Sequence, residues 1–231
     1  MKTAVIIPAA GTSSRMGGVD KVTLLLNGKP IFEYILDIFV NHENIAEIVV
    51  ATTPKIVSIL EENEKVKHLR EKFSQKSIKF ILGKETRQAS VYAGLQAVDE
   101  SVQCVLVHDM ARPLVSKKII DDILGYVELG KCAVSGVPSK DTVKVVDSNN
   151  KVVETPNREN LWLVHTPQGF PAAVLRQAHE RALSDNFLGT DDASLVERLN
   201  VAVYMVFGDY GNVKVTTKED IAVAEKFLEK V

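Results

Sequence analysis

Short runs of β-branched and aliphatic residues alternate along this chain with longer stretches whose apolar positions recur every three to four residues. Residues 4–7, 48–51, 78–82, 102–107 and 132–137 are nearly continuous apolar runs of strand length. Residues 30–40, 55–72, 87–98 and 117–129 carry the helical period, and further helices are predicted at 172–183, 191–198 and 218–230. Strands apolar on both faces and separated by helices predict an α/β fold. Its sheet is mostly parallel, covered by helices on both faces and joined by right-handed crossovers. No internal repeat, low-complexity tract or Pro/Gly/Ser linker divides the 231 residues.

One segment departs from this rhythm. From Asp141 the chain reads Thr-Val-Lys-Val-Val-Asp, then Ser148-Asn149-Asn150, then Lys-Val-Val-Glu-Thr. Two β-rich runs flank a turn whose Asn residues tolerate positive φ, which predicts a hairpin. An isolated two-stranded ribbon is marginal in water. It therefore lies either on its own sheet or against a second subunit, and spacing alone leaves both open.

Composition narrows the partners. The 28 basic and 30 acidic residues nearly cancel, giving a formal net charge of −2, and no basic tract marks a nucleic-acid binder. A small-molecule ligand is expected. Cys104 and Cys132 each lie within an apolar run and read as buried, reduced thiols; the five histidines lack metal-site spacing. The N-terminus enters its first strand too early for a signal peptide, and nothing approaches the ~20 apolar residues of a membrane span. A cytoplasmic protein is expected.

Open parallel sheets bind ligands beyond the carboxyl ends of their strands, so the residues that follow each strand are the candidates. After the first run come Pro8-Ala9-Ala10-Gly11-Thr12-Ser13-Ser14-Arg15-Met16-Gly17-Gly18 and Val19-Asp20-Lys21. Small residues let backbone N–H groups approach an anion, and Arg15 and Lys21 add two positive charges. After the third run, Gly83-Lys84-Glu85-Thr86-Arg87-Gln88-Ala89-Ser90 opens a helix. An Arg in a first turn opposes the helix dipole, so Arg87 is expected to answer a ligand or a carboxylate. After the fourth, His108-Asp109-Met110-Ala111-Arg112-Pro113 places a carboxylate where it can hold Mg²⁺ together with substrate phosphates. His108 reads as a satisfied structural histidine. Arg112 is expected both to pair with Asp109 and to hold an anionic substrate. Thr190 is expected to cap the helix that follows it. Trp162 and the tyrosines read as core or arm packing.

Taken in order, these stretches resemble one family over essentially the whole length. They are Pro8-Ala9-Ala10-Gly11 with Arg15-Met16, Lys21, Arg87 with Ser90-Val91, and His108-Asp109 with Ala111-Arg112-Pro113. Further on come Asp141-Thr142 with Lys144, Asn157-Arg158, His165-Thr166-Pro167-Gln168, Thr190-Asp191, and Asn212-Val213-Lys214-Val215-Thr216. The chain is similar to the 2-C-methyl-D-erythritol 4-phosphate cytidylyltransferases of non-mevalonate isoprenoid synthesis. No single piece is specific; the ordered set is.

The resemblance implies a Rossmann-like nucleotidyltransferase domain over 1–231, with a protruding β-hairpin arm at 138–160 that clasps a second subunit. It implies that Arg15, Lys21 and Lys214 carry catalysis on CTP. Ala9, Ala10, Gly11, Gly83, Glu85, Arg87, Ser90 and Asp109 would hold the nucleotide, with Mg²⁺ at Asp109. Arg112, Thr142, Arg158, Thr166, Thr190 and Lys214 would grip the phosphorylated polyol, with Thr142 and Arg158 working in the neighbour's site of a homodimer. The sequence departs from the family's usual pattern at Asp20 and Val22, which flank Lys21 in place of Pro and Gln. It departs again at Lys84, in place of a second Gly, and at Met110, in place of a small residue.

The chemistry is consistent with the residues. A phosphate monoester has its second pKa at about 6, so an attacking phosphate needs no general base. No Ser-His or Cys-His couple stands out. A ribitol-5-phosphate cytidylyltransferase is the nearest alternative; Ala9-Ala10-Gly11, where that branch has Ala-Gly-Gly, weighs against it. A nucleotide-sugar glycosyltransferase would want an Asp-x-Asp metal motif, which His108-Asp109-Met110-Ala111 does not supply.

Overall fold

The structure is a computed structural model and describes residues 1–11 and 20–229. A seven-stranded sheet runs through it in the order β11-β7-β10-β6-β1-β4-β5. The strands are β1 (Thr3–Pro8), β4 (Ile45–Thr52), β5 (Ser77–Leu82), β6 (Cys104–Val107), β7 (Cys132–Pro138), β10 (Trp162–Pro171) and β11 (Val203–Phe207). Six run parallel, and β10 alone is antiparallel to both neighbours, β6 and β7. A small hairpin, β2 (Leu25–Leu26) with β3 (Lys29–Pro30), leads into the first helix.

The helices are α1 (Ile31–Val40), α2 (Pro54–Glu62), α3 (Glu64–Lys72), α4 (Arg87–Ala97), α5 (Lys117–Glu128), α6 (Ala172–Ser184), α7 (Asp192–Glu197) and α8 (Lys218–Leu228). Side chains alternate across a strand, and β1 shows the result. Val5 and Ile7 join one apolar cluster with Ile35, Phe39 and Ile123, while Ala4 and Ile6 join a second with Val91, Leu95 and Leu175. Two cores therefore sandwich the sheet. Helices α1, α2, α3 and α5 close one face; α4, α6 and α7 close the other.

Several expectations need correction. The helix expected over 55–72 is two, because Asn63 ends α2 in extended backbone and its side chain accepts the Val66 N–H to start α3. Thr190 does not cap α7: Asp191 does, accepting the Ser194 N–H at 2.9 Å. Strands β10 and β11 were not anticipated from the apolar pattern. The hairpin was. Strands β8 (Val145–Val146) and β9 (Val152–Glu154) pair antiparallel as a sheet of their own, with Asn150 at φ 61°. Asp147 closes that turn by accepting the N–H groups of Asn149 and Lys151. Val145, Val146, Val152 and Val153 all stand exposed, the last at 59%.

Both cysteines are buried and unpaired, and burial pushes their thiols up, to about 12 for Cys104 and about 11 for Cys132. Among the described residues, no helix is long and apolar enough to cross a membrane.

Candidate active site

Backbone geometry gathers the candidate residues at one rim. Strand β1 ends at Pro8, and the next residue is anchored from β4: Ala9 N–H donates to Ala51 O at 2.7 Å, and Thr52 Oγ1 donates to Ala9 O at 3.0 Å. Gly83, just past β5, donates to Thr52 O at 2.8 Å. Glycine is needed there: a Cβ on Gly83 would lie 2.3 Å from the Ala10 Cβ and 3.3 Å from Ala51 O. The side chain of Thr86 caps α4, and Ser90 Oγ accepts the Lys84 N–H at 2.9 Å, folding that loop onto the helix.

Strand β6 delivers His108 and Asp109. Because β10 runs the other way, its middle rather than its end reaches this rim. The pairing of β10 with β7 shifts register between Val164 and Gln168, leaving Thr166 beside Asp109. Thr166 Oγ1 accepts the Asp109 N–H at 3.0 Å and lies 3.2 Å from His108 Nδ1. His108 also contacts Arg112 O through Nε2 at 3.0 Å and meets Phe39 edge-on. Burial lowers its pKa to about 4, so it is a neutral structural residue, as expected. The loop after β11 is pinned by three contacts. Asn212 Nδ2 donates to Thr166 O at 2.9 Å, Arg112 Nη1 to Asn212 O at 2.6 Å, and Val215 N to Ala111 O at 2.7 Å. These set Lys214 beside Asp109.

Two clefts open at the rim. One, of about 200 Å³, is lined by Ala9, Ala10, Gly11, Lys21, Glu85 and Ser90, with Arg87, Asp109 and Lys214 as its inner wall. The other, of about 300 Å³, is lined by Arg112, Thr166, Thr190 and His165, and has the same three residues as its wall. Arg87, Asp109 and Lys214 thus form a partition shared by two polar clefts.

That partition is an alternating line of charges. Asp109, 8% exposed, receives Arg87 Nε on Oδ1 at 3.1 Å and Lys214 Nζ on Oδ2 at 2.7 Å. Burial opposes its charge, but the two cations outweigh burial and hold the carboxyl well below the usual carboxylate range. Arg87 also gives Nη1 to Asp192 Oδ2 at 2.7 Å, and Asp192 Oδ1 lies 3.2 Å from His179 Nε2. Burial works against the Arg87 charge as well, and the two carboxylates more than offset it.

Arg87 therefore does answer carboxylates. Arg112 does not pair with Asp109 as expected. Its Nη1 donates to the Asn212 carbonyl, its buried Nε has no hydrogen-bond partner among the described residues, and burial lowers its pKa. Asp20, the departure beside Lys21, accepts the Val22 N–H at 2.9 Å and so fixes the turn that carries the lysine. Arg15 lies outside the described residues. Thr142 and Arg158 line neither cleft; both are exposed near the hairpin, where Arg158 Nη1 donates to Lys140 O at 3.0 Å. Sequence reasoning missed His165, Asp192 and His179. Two adjacent carboxylates at Asp191-Asp192 were visible, but nothing local tells which one turns inward.

A metal ion would find a modest protein site. Among the described residues no cluster of three or more His, Cys, Asp or Glu forms; Asp20 and Glu85 also line the smaller cleft, and Asp109 is the buried carboxylate in the wall common to both clefts. Asp109 meets Arg87 through Oδ1 and Lys214 through Oδ2, and each carboxylate oxygen has two lone pairs. One carboxylate plus substrate phosphates is the ligand set Mg²⁺ prefers, so the residues fit.

Comparison with known proteins gives the family. Residues 3–230 match the family model for 2-C-methyl-D-erythritol 4-phosphate cytidylyltransferase. The enzyme of that name from Caldanaerobacter subterraneus is 45% identical over 232 residues, spanning 100% of both chains; the one from Dictyoglomus thermophilum is 40% identical over 99% of this chain and 97% of its own. Among solved structures, 4-diphosphocytidyl-2C-methyl-D-erythritol synthase from Anaerococcus prevotii superposes with a TM-score of 0.84 at 31% identity, covering 98% of each chain. The Thermus thermophilus cytidylyltransferase gives 0.79 at 34% identity over 100% of both. With the whole chain matched and the charged partition at the mouth of its sheet, this protein belongs to the 2-C-methyl-D-erythritol 4-phosphate cytidylyltransferase family.

Proposed function

We propose that the chain transfers CMP from CTP to 2-C-methyl-D-erythritol 4-phosphate, giving 4-diphosphocytidyl-2-C-methyl-D-erythritol and pyrophosphate. The observation that carries this reading is the pair of clefts divided by Arg87, Asp109 and Lys214. Two anionic reactants held in adjacent clefts can react across such a partition. The cleft lined by Ala9, Ala10, Gly11, Glu85 and Ser90 takes the nucleotide, with Gly83 shaping it from beneath. The cleft lined by Arg112, Thr166 and Thr190 takes the polyol phosphate.

In the reaction a phosphate oxygen of the acceptor attacks the α-phosphorus of CTP. A new P–O bond forms as the bond to the β-phosphate's bridging oxygen breaks, and pyrophosphate leaves with that electron pair. The acceptor phosphate is largely dianionic at neutral pH, so the nucleophile needs no proton removed. The barrier is repulsion between anions. Lys21 on the nucleotide side and Lys214 on the partition lower it by charge, and the clefts lower it by holding the reactants in line. Arg15 is assigned the same role on the triphosphate. Mg²⁺, anchored at Asp109 and by the triphosphate, supplies further charge neutralisation when bound.

We further assign residues 1–231 to one nucleotidyltransferase domain with 138–160 as its arm. The exposed valines of β8 and β9 support a homodimer, in which Thr142 and Arg158 complete the neighbour's acceptor cleft. A cytoplasmic location accords with these substrates.

Pyrophosphate release from CTP and Mg²⁺ tests the reading. Release is expected with 2-C-methyl-D-erythritol 4-phosphate and not with ribitol 5-phosphate or without acceptor. Equal or faster release with ribitol 5-phosphate would overturn the acceptor assignment.

A further inference from the structure

Neither Asp192 nor His179 lines the nucleotide or the acceptor cleft, yet both are almost fully buried, at 1% and 2% exposed. A buried carboxylate is tolerated only when well paired. The partner of Asp192 is not a group of its own helix but Arg87 on α4, 105 residues away in sequence. Burial disfavours the Asp192 charge, and Arg87 and His179 overcome that and keep the carboxyl below its ordinary range. The far side of Asp192 is closed by His179 on α6, whose ring stacks on Tyr92 of α4 at 5.9 Å and 10°. Three helices thus meet around one carboxylate, and Arg87 links it to the rim.

Arg87 itself is shared. Nη1 goes to Asp192 and Nε to Asp109, so its fork is held at both ends. Neutralise the inner carboxylate and the charge of the fork is drawn toward Asp109. A planar guanidinium with one carboxylate takes it bidentately, and the Asp109 oxygen that now receives Lys214 would be drawn away from the lysine. The inner pair therefore governs where the outer pair sits.

We propose that Asp192, braced by His179, is a positioning residue for the transfer: through Arg87 it fixes Asp109 and Lys214 at the partition between the clefts. This rests on the function assigned above. It also accounts for an arginine placed against the dipole of α4, since its charge is spent inward as well as outward.

The test is a double-mutant cycle on the full chain, read by pyrophosphate release with CTP and acceptor varied in turn. Asp192→Asn is nearly isosteric and still accepts a hydrogen bond, but carries no charge. It should lower kcat by about tenfold or more, since small misplacements of reacting groups can cost about a hundredfold, while KM for CTP moves by less than about twofold. In an Arg87→Gln background the same change should alter kcat by less than about twofold, because there is no fork left to position. His179→Gln should show a smaller loss with the same dependence on Arg87, and it decides the matter if Asp192→Asn does not fold. Unchanged kcat in the folded variants, or equal fold-losses in both backgrounds, would overturn the proposal. Absence of activity in the unaltered protein would instead overturn the function on which it rests.

Discussion

Replacing Lys214 with Met removes one charge from the partition and keeps most of the side chain's bulk. Its Nζ sits 2.7 Å from Asp109 Oδ2, with the side chain 43% exposed. Two unit charges 4 Å apart interact by about 4 kcal/mol at an effective dielectric of 20. Half-exposure screens that interaction, so about 2 kcal/mol is a reasonable net for the lost charge. Each 1.36 kcal/mol is tenfold, which gives about a thirtyfold loss in kcat/KM. The variant also removes the Lys214 contact from Asp109, which adds repulsion toward the incoming dianion and pushes the loss toward a hundredfold. The assay is initial-rate pyrophosphate release with the acceptor varied at saturating CTP. The loss should fall mainly on the acceptor's kcat/KM, Lys214→Arg should recover part of it, and Lys118→Met, an exposed charge removed from α5, should leave the rates alone. A Lys214→Met protein within threefold of the parent for the acceptor would refute the electrostatic argument.

Lys21→Ala should cut kcat by about a hundredfold, the typical cost of one preorganised charge donor, and a near-normal kcat in the purified variant would remove it from the mechanism. Gly83→Ala, whose Cβ meets Ala10 at 2.3 Å, should cost about 1–3 kcal/mol of stability in urea titrations and raise KM for CTP. Gly125→Ala, with nothing within 4 Å in α5, should instead gain about 0.5–1 kcal/mol, the helix-propensity difference. Burial lowers the pKa of His108 to about 4, so between about pH 6.5 and 4 the unfolded chain takes up a proton that the native state refuses. Stability should therefore fall as pH drops through that window, by up to about 3 kcal/mol from this group, and the pH slope of the urea midpoint should shrink in His108→Gln. Deleting residues 142–155 should leave an inactive monomer; an active dimer in sedimentation would refute the assigned role of the arm.

What the sequence made legible follows from where its signals are local. The strands around Ile6, Val50, Val105 and Val134 were visible because both faces are buried and their apolar runs are unbroken. The turn at Asn150 was visible from its residue type. Strand β10 was not, because Leu163 and Val164 are exposed at its start while Gln168 and Gly169 lie deep in the sheet, so neither alternation nor a continuous run survives. The break at Asn63 was hidden because an Asn cap can end and restart a helix without Gly or Pro. At the site, Lys21 and Asp109 were legible as polar residues in loops after apolar runs, and Lys214 only through the family resemblance. The inward turn of Asp192 and the occupation of Arg112 by Asn212 depend on partners 105 and 100 residues distant. No local pattern encodes those.

Strand β10 has a mechanical consequence. Its ten residues leave the base of the hairpin at Trp162, pass Thr166 at the rim, where the pairing with β7 shifts register, and end at Pro171, which leads directly into α6. The hairpin is thereby continuous in backbone, within one strand, with the threonine that holds the Asp109 amide, so a displacement of the protrusion has a short covalent route to the rim.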